Sequence, residues 1–426
     1  MYSEVYSVTL AGLDACIVKV ETDAGDGLPS FEMSGCLAAQ VTEARERVRV
    51  AVKNSGIILR PQKIMVNISP ADIRKAGNGF DLPVAAGILA ADGIIKTDML
   101  ESSVIIGELS LDGSVNAVRG IINCVAKAAQ MGFKRCIVPS CNICEGEHIE
   151  GIEVLGVDSL KQLIGYFNGE SELIDAIDAK KSREHDVIHM KNETCPDFAD
   201  ITGQITAKRA SLIAAAGHHN ICYIGIPGTG KTMMAKRIST IMLPLNESEK
   251  MELTRIYSAA GKLEGRSIIE ERPVRCPNYN TTKAVMLGGG VVLSPGEITL
   301  ADKGILFLDE FNEFASAVID SLRTPLEEHI IRIVRGSKEY IYPADFMLVS
   351  AMNTCPCGKF PSTACTCTPA QIQAYLSKIS QPFLDRIDLS VEASKVEYRD
   401  LVKESVSCPE SSAVIKVRVC EARKRQ

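Results

Sequence analysis

One short stretch of the chain has the residue types and spacing that bind a phosphate group. It follows the pattern G-x-x-x-x-G-K-[ST] and consists of Gly225, Ile226, Pro227, Gly228, Thr229, Gly230, Lys231 and Thr232. Glycines let the backbone fold tightly, so that its N–H groups point at an anion. In this pattern Lys231 reaches the β- and γ-phosphates, and the Thr232 hydroxyl holds Mg²⁺. A strand-like run precedes the pattern and a helix-like run follows it, which favours an ATP and Mg²⁺ site over a glycine-rich turn without a ligand.

A pair of acids provides a second candidate set of catalytic residues. Asp309 and Glu310 follow the apolar run 304–308, which is typical of a buried parallel strand. Asp309 can hold the Mg²⁺ shell, and Glu310 can polarise the attacking water as a general base. Alone, the pair also fits a strand that ends in two solvated acids. Together with the phosphate-binding pattern, the second acid predicts hydrolysis of the nucleotide rather than binding alone.

Two further polar residues could complete such a site. Asn353 follows the apolar run 346–351, and in ring ATPases a polar residue there orients the water or senses the γ-phosphate. Arg386 lies at a predicted helix-to-strand corner within 383–389. An arginine supplied to the γ-phosphate of a neighbouring copy stabilises charge in the transition state. If Arg386 acts in this way, the active protein is an oligomer, most often a hexamer.

Four cysteines fall on one short loop, residues 355–367, with the spacing C-x-C-x₇-C-x-C. They are Cys355, Cys357, Cys365 and Cys367. Four thiolates can close a tetrahedral Zn²⁺ site, and a loop rich in Gly, Pro, Ser and Thr has little core of its own without a metal. The alternatives are free surface thiols or an iron–sulfur cluster. A catalytic zinc is not predicted, because all four positions would be filled.

A basic segment at 332–340 is predicted to be a hairpin. It carries Arg332, Arg335 and Lys338 around Gly336. In a ring this hairpin would point toward the pore and could contact the phosphate backbone of DNA. A solvated hairpin without a ligand is the alternative.

The composition sets limits on the class of protein. The 426 residues include 46% apolar residues and carry a net charge of −6, which predicts a globular protein without a broad nucleic-acid-coating surface. No apolar run is long enough to span a bilayer, and the N-terminus lacks the order of a signal peptide. A cytoplasmic location without membrane contact follows as the default. Most of the 15 cysteines are single and are expected to be buried thiols.

The first part of the chain, residues 1–167, alternates helix-like and strand-like segments. Apolar residues recur on one helical face within 41–54, and Gly56 follows as a stop. Alternation within 64–68 predicts a half-buried strand that ends at Pro70. The other predicted elements of this α/β domain are helices at 82–91 and 121–131 and strands at 104–106 and 136–138.

The order of these segments resembles the proteolytic domain of Lon proteases, which has a ribosomal-protein-S5-domain-2-like fold. The likeness is carried by the segments 75–77 (KAG), 82–87 (LPVAAG), 107–113 (GELSLDG), 132–134 (GFK) and 138–139 (VP). A Lon protease needs a serine activated by a lysine. By register these positions hold Asp81 and Ile122, so proteolysis is not expected. Assembly, partner binding and simple packing remain open as roles of this domain.

With both domains considered, the chain resembles the ComM/YifB family of magnesium-chelatase-like AAA+ ATPases. The motifs that carry this likeness are GIPGTGKT at 225–232, GEITLADKGILFLDEFNEF at 296–314, NTCPCG at 353–358 and FLDRIDL at 383–389. The resemblance implies a P-loop AAA+ domain with a three-layer αβα fold at 196–397, after a linker at 168–195. It also implies an ATP-dependent ring, and the best-described role in the family is branch migration of DNA.

Three departures from the family pattern bear on these expectations. Asn278 and Tyr279 stand where the family usually has two histidines, and Thr354 stands where it usually has proline. The family also continues through a helical lid, of which residues 398–426 look like the beginning. If the lid is lost, nucleotide binding should survive in weakened form. The alternatives to a DNA motor are therefore a chelatase-like ATPase that remodels a protein partner and an ATP-binding pseudo-enzyme.

Overall fold

A computed structural model gives the structure of the chain. It describes residues 1–176, 178, 196–290, 293–336, 338–393 and 410–425. Most of the predicted linker at 168–195 and the first part of the predicted lid region at 398–426 therefore lie outside the described residues. The expectation that 168–195 form a solvated connector stays a prediction.

The chain divides into two compact units. The first comprises Met1–Lys191, Thr254–Ile269 and Val292–Ser294, and the second comprises Asn192–Leu253, Glu270–Val291 and Pro295–Gln426. Residues 254–269 fall within the ATPase domain predicted at 196–397, and their contacts group them with the first unit. Within that unit Ser258 accepts a hydrogen bond from the Gly120 N–H at 2.9 Å through its carbonyl oxygen. Its hydroxyl donates a short hydrogen bond to the buried Glu145 carboxylate.

The first unit is built on an eight-stranded sheet of order β10-β9-β8-β5-β1-β2-β4-β3, with β6 and β7 as a separate hairpin. β1 and β2 are a long antiparallel pair, and β5, β8 and β9 follow in parallel. The strands are β1 (Tyr2–Ala11), β2 (Asp14–Gly25), β3 (Ser30–Ser34), β4 (Lys63–Ser69), β5 (Ser103–Ile105), β6 (Glu108–Leu109), β7 (Val115–Asn116), β8 (Arg135–Pro139), β9 (Glu153–Val157) and β10 (Ile174–Asp175).

Helices cover both faces of this sheet. They are α1 (Ala39–Asn54), α2 (Asp81–Ala91), α3 (Ile121–Gln130) and α4 (Leu160–Asn168). Val5 packs in one apolar cluster with α1, α2 and α4, and Val8 packs in a second cluster with α3. Because odd and even residues of a strand point to opposite faces, the unit has three layers. The predicted helices and strands of this region therefore form an α/β fold, as expected.

The two positions that match the Lon nucleophile and its lysine are structural in this chain. The Asp81 carboxylate is fully buried and accepts two hydrogen bonds from the Arg47 guanidinium at 2.9 and 3.0 Å. It also accepts the Leu109 N–H at 3.2 Å. Ile122 is fully buried. Neither position supplies the serine or the lysine on which a Lon protease depends, and the absence of proteolysis stays a prediction.

The second unit is built on a five-stranded sheet of order β12-β15-β18-β11-β19, whose neighbouring strands all pair in parallel. The strands of the second half of the chain are β11 (Ile221–Ile224), β12 (Val274–Arg275), β13 (Gly288–Gly289), β14 (Ser294–Pro295), β15 (Ile305–Leu308), β16 (Ile330–Arg335), β17 (Lys338–Pro343), β18 (Met347–Met352) and β19 (Leu389–Glu392). Every residue of β15 and β18 is buried, as expected for a parallel sheet covered on both faces.

Several helices also lie in the second half of the chain. They are α5 (Ile205–Gly217), α6 (Lys231–Ile241), α7 (Glu247–Ala260), α8 (Lys283–Leu287), α9 (Glu297–Leu300), α10 (Ser316–Ser321), α11 (Arg323–Glu328), α12 (Pro369–Leu376), α13 (Gln381–Leu384) and α14 (Ser412–Arg425). Ile415 and Val419 of α14 pack in the same core as α5 and α6. The Ser412 hydroxyl accepts the Phe198 N–H at 2.7 Å, so α14 is part of the second unit.

The segment between β15 and β16 contains two short helices, α10 and α11, which are separated at Leu322. Pro325 explains the break, because it lacks the N–H that would continue the hydrogen bonds of α10. Within the described residues, no helix has both the length and the apolar character needed to cross a membrane.

Asp302 is a buried carboxylate at the start of β15. Its Oδ1 accepts the Asp345 N–H at 2.7 Å, whereas its Oδ2 has no hydrogen-bond partner among the described residues. Burial raises its pKa to about 7, although the charge of Lys303 opposes this shift and those of Glu252 and Asp345 reinforce it. The ionised form of Asp302 is therefore a cost to the fold at neutral pH.

We predict that Asp302→Asn stabilises the protein in a pH-dependent way. Because the folded-state pKa lies above the ordinary 3.8, stability is lost as pH rises from 3.8 through about 7. The neutral amide should raise the free energy of unfolding by up to about 4 kcal/mol at pH 8 and leave it nearly unchanged at pH 4. Urea unfolding followed by circular dichroism measures both values, with the exposed Asp98→Asn as control. An equal effect at both pH values would contradict this account.

Candidate functional site

The phosphate-binding pattern forms a turn between β11 and α6. β11 lies between β18 and β19, and the Gly225 N–H donates to the Met352 carbonyl at 3.2 Å. A side chain at Gly225 would meet the Ala393 carbonyl, since its Cβ would lie 2.5 Å from that oxygen. This position must therefore be glycine. Gly228 and Gly230 adopt left-handed conformations with φ of 82° and 83°, which curve the loop into the N-terminus of α6.

The loop is fixed from its inner side by polar contacts. The buried Thr229 hydroxyl donates to the Ile226 carbonyl at 3.0 Å, and the Gln204 amide donates to the Thr229 carbonyl at 3.0 Å. Gln204 precedes α5 and supports the loop, although no sequence pattern indicates this role. With its carbonyls bonded inward, the loop leaves open space beside Gly228 and Gly230. This shape fits the phosphate cradle that the pattern predicts.

Lys231 is the central cation of the site. Its ammonium donates to the carbonyls of Gly225 and Ile226 at 2.9 and 3.0 Å and to Oδ1 of Asn353 at 3.2 Å. The side chain is only 8% exposed, and burial lowers its pKa while the charge of Asp309 opposes that shift. Phosphate oxygens beside this ammonium would favour its charged form.

Thr232 and Asp309 come together at the start of α6. The Thr232 hydroxyl donates to Oδ2 of Asp309 at 2.7 Å. Adjacent oxygens around octahedral Mg²⁺ lie about 2.9 Å apart, because each metal–oxygen bond is about 2.1 Å long. Two hard oxygen donors at this spacing suit Mg²⁺, so the residues present fit the ion that the sequence predicts.

Glu310 lies beside this pair at the carboxyl end of β15. Its N–H donates to Oδ1 of Asp309 at 3.0 Å, and its side chain is exposed. The backbone of Glu310 has a φ of 51°, a left-handed conformation that a non-glycine residue adopts at a cost. This turn directs the chain away from the strand immediately after the two acids. The strain is of the kind that is concentrated at functional sites.

Parallel pairing explains why these residues meet. β15 pairs with β18, and β18 pairs with β11, so their carboxyl ends share one edge of the sheet. Asp309, Asn353 and Gly225 each directly follow one of these strands. The structure therefore brings together the predicted loop, Asp309, Glu310 and Asn353.

One predicted catalytic residue, Arg386, does not lie at this edge of the sheet. Its carbonyl accepts the side-chain amide of Asn220 at 2.9 Å, and Asn220 immediately precedes β11. Arg386 thus lies at the opposite edge of the sheet. The length of β11, about 13 Å at about 3.3 Å per residue, separates it from the phosphate-binding loop. Its guanidinium donates to the Glu327 carboxylate, with Nε at 2.6 Å. Within a single chain, Arg386 therefore forms an ion pair with Glu327.

The four cysteines of the 355–367 loop form a compact cluster. Sγ of Cys355 lies 3.4 Å from that of Cys357 and 3.7 Å from that of Cys365, and the last two are 3.5 Å apart. All four sulfurs lie within 4.8 Å of one another. Sulfurs at the corners of a Zn²⁺ tetrahedron are about 3.8 Å apart, given zinc–sulfur bonds of about 2.3 Å. The donor set and spacing fit zinc.

The basic hairpin is formed by β16 and β17. These strands pair only with each other among the described strands, and Gly336 turns between them with a φ of 61°. The Arg332 guanidinium lies 3.4 and 3.5 Å from the carboxylates of Glu328 and Glu339. Arg335 donates to the Gly290 carbonyl at 3.1 Å. The predicted hairpin at 332–340 is therefore present, and its strands extend a few residues further at each end.

Comparison with known proteins places this architecture in a family. The family model for the magnesium chelatase subunit ChlI matches residues 197–401, and a second model for the same subunit matches residues 20–142. The uncharacterized protein YifB of Escherichia coli is 37% identical over 424 residues, which are 100% of this chain and 82% of that protein. The competence protein ComM of Haemophilus influenzae is 36% identical over 422 residues, 99% of this chain and 82% of its own.

A shorter match joins the chain to a protease. The archaeal Lon protease of Methanocaldococcus jannaschii is 26% identical over 156 residues, which are 35% of this chain and 24% of that protein. Together with the parallel sheet and the phosphate-binding loop, these findings define an α/β P-loop protein of the AAA+ class. The chain belongs to the ComM/YifB family of magnesium-chelatase-like proteins.

Proposed function

We propose that this protein is a Mg²⁺-dependent ATPase. The observation that carries the proposal is the meeting of Lys231, the Thr232–Asp309 pair and Glu310 at one edge of a parallel sheet. Binding and hydrolysis of a nucleoside triphosphate need a phosphate cradle, a metal site and a base, and these groups supply each of them. Bound Mg²⁺ would neutralise charge on the transferred phosphoryl group.

The roles of the residues follow from their positions. The N–H groups of the loop and the Lys231 ammonium would hold the phosphates, and Thr232 and Asp309 would hold the ion through oxygen. The exposed Glu310 carboxylate can take a proton from an attacking water. Asn353 already accepts a hydrogen bond from Lys231 and is placed to orient that water or to sense the γ-phosphate.

We predict that Glu310→Gln abolishes turnover without abolishing binding. The amide keeps the size of the side chain but cannot accept the proton, so ATP hydrolysis should fall by about 100-fold or more. Phosphate release and the affinity for a fluorescent ATP analogue measure the two effects separately. Glu313→Gln, three residues along the same turn, is the matched control. An unchanged rate in Glu310→Gln would remove this residue from the mechanism, and a wild-type chain that binds without turnover would support the pseudo-enzyme alternative.

We further propose that the active form is a ring of identical copies, most often six in proteins of this class. Arg386 lies at the edge of the sheet opposite the phosphate loop, so it cannot serve the nucleotide of its own chain. A neighbouring copy could receive it once the ion pair with Glu327 opens. An arginine acting between copies would stabilise the transition state rather than the bound substrate.

We predict that two inactive variants restore activity when they are mixed. Arg386→Ala and Glu310→Gln should each be inactive alone, because one lacks the arginine and the other lacks the base. In a mixed ring some interfaces combine the intact Glu310 of one copy with the intact Arg386 of another, so part of the ATPase rate should return. A mixture of Arg386→Ala with Asp309→Asn should behave in the same way. Recovery in neither mixture would contradict action between copies.

The proposed substrate of this motor is DNA, on which a ring of this type would act during branch migration. The hairpin of β16 and β17 carries three cations, of which Arg332 is paired with Glu328 and Glu339, on a chain whose net charge is −6, so any basic contact surface is local. The relative from Haemophilus influenzae is named a competence protein, which favours nucleic acid over other polymers. A protein partner, as in a chelatase, is the alternative substrate.

We predict that DNA stimulates the ATPase and that the hairpin mediates this effect. Arg335→Ala combined with Lys338→Ala should abolish stimulation by single-stranded or branched DNA at low salt and leave the DNA-free rate unchanged. Loss of two phosphate contacts should also lower the salt dependence of duplex binding by about two in log–log slope. Lys53→Ala with Lys63→Ala removes the same charge from the first unit and is the control. Persistent stimulation would exclude the hairpin, and stimulation by a protein alone would favour the chelatase-like function.

We also propose that the 355–367 loop holds a structural Zn²⁺. The sulfur spacing and the all-thiolate donor set support this assignment. Thiolates held in this way suit a reducing compartment, so we propose that the protein acts in the cytoplasm.

A further inference from the structure

The cysteine loop is attached to the nucleotide site at two separate points. The first is covalent, because Cys355 follows Asn353 by two residues and Asn353 accepts a hydrogen bond from the Lys231 ammonium at 3.2 Å. The second is a packing contact between the loop and the phosphate-binding turn. A Cβ at Gly358 would lie 2.7 Å from Cδ of Pro227, so the loop backbone rests directly on that ring. The cysteine loop is therefore linked to Asn353, which contacts Lys231, and it also packs on the phosphate-binding turn.

Gly358 occupies the central place in this contact. It lies one residue after Cys357, has a left-handed φ of 69°, and its N–H donates to the Cys355 carbonyl at 2.9 Å. The N–H of Phe360 donates to the Cys355 sulfur at 3.4 Å. The backbone that packs on Pro227 thus follows Cys357 directly and is held by hydrogen bonds to Cys355.

The loop has little apolar support beyond its cysteines. Cys355 is fully buried, whereas residues 359–364 are all exposed. The core of the second unit is built from its sheet together with α5, α6 and α14, which do not depend on this loop. A metal held by four thiolates would therefore fix the loop itself, while the surrounding fold stands without it.

We propose that the metal-bound cysteine loop is a positioning element of the nucleotide site. Metal held by the four thiolates fixes Gly358 against Pro227 and fixes the chain that follows Asn353, so zinc occupancy sets the affinity for nucleotide. This inference rests on the proposed zinc site and adds a function for it. The residues concerned position the phosphate-binding turn, and they take no part in the chemistry of hydrolysis.

The first test removes the second pair of ligands. Cys365→Ser with Cys367→Ser should lose its zinc, measured by atomic emission, and should bind a fluorescent ADP analogue about tenfold or more weakly, because small displacements of positioning groups are costly. Circular dichroism should show an unchanged fold. Cys420→Ser, which lies on α14, should keep both zinc and affinity. Loss of zinc with unchanged nucleotide affinity would overturn the proposal.

A second test uses the wild-type chain and needs no variant. Chelation of zinc, followed by transfer into Mg²⁺ buffer, should weaken binding of the ADP analogue to the same extent, and added Zn²⁺ should restore it. Reversal by zinc excludes irreversible damage as the cause, and an unchanged circular dichroism spectrum of the zinc-free chain would exclude unfolding. Weakening that zinc does not reverse would contradict the proposal.

A third test separates the contact from the metal. Gly358→Ala keeps all four cysteines, but its Cβ would push against Pro227, so the nucleotide should bind about tenfold more weakly while zinc is retained. Gly132→Ala places the same change at a left-handed glycine, with a φ of 81° and open space around it, and controls for backbone strain. Full affinity in Gly358→Ala with zinc bound would overturn the proposal.

These tests distinguish this inference from the function on which it rests. A wild-type chain that binds no nucleotide would refute the ATPase proposal, and one that binds nucleotide but no zinc would refute the metal site. A chain that binds zinc and nucleotide, but whose nucleotide affinity does not change when the loop is altered, would refute this inference and leave the other two proposals standing.

Discussion

The site depends on one buried cation and the three oxygens that hold it. A buried ammonium without hydrogen-bond partners would cost several kcal/mol, roughly as any desolvated charge does. Lys231 avoids this cost by donating to the carbonyls of Gly225 and Ile226 and to Asn353. Because Asn353 follows β18 and Gly225 follows β11, the cation joins the ends of two neighbouring strands. An arriving phosphate therefore meets a charge whose position is already fixed.

The register of the sheet fixes the remaining groups. Ile224 pairs with Met352, so the chain leaves β11 and β18 at the same level, and β15 ends beside them. Each functional segment then begins at the first residue after its strand. The close approach of Gly225 to the Ala393 carbonyl belongs to the same constraint, since β19 packs against the other side of β11. A larger residue at 225 would separate these strands and disturb every group at this edge.

The sequence was most informative where chemistry is local. Lys231, Asp309 and Asn353 could be placed at one edge because each follows an apolar strand and parallel strands end together. Sequence could not show that the Gln204 amide supports the loop or that Gly358 rests on Pro227, because both contacts join segments far apart in the chain. That residues 254–269 group with the first unit could not be foreseen for the same reason. Their position depends on tertiary hydrogen bonds of Ser258, which leave no periodic signal.

Two elements would influence this nucleotide site. The cysteine loop would change the free energy of nucleotide binding, and Arg386 would change the activation free energy of hydrolysis. The cysteine loop contacts the phosphate-binding turn through Pro227, so it should alter the affinity for any nucleotide. Arg386 would arrive from another copy and contact charge that develops only during phosphoryl transfer, so it should alter the rate. A group that binds substrate and transition state equally changes affinity alone. The cysteine loop lies at the carboxyl edge of the sheet, and Arg386 lies at the opposite edge. Bound metal would therefore control nucleotide binding, and assembly of the copies would control turnover, independently of each other.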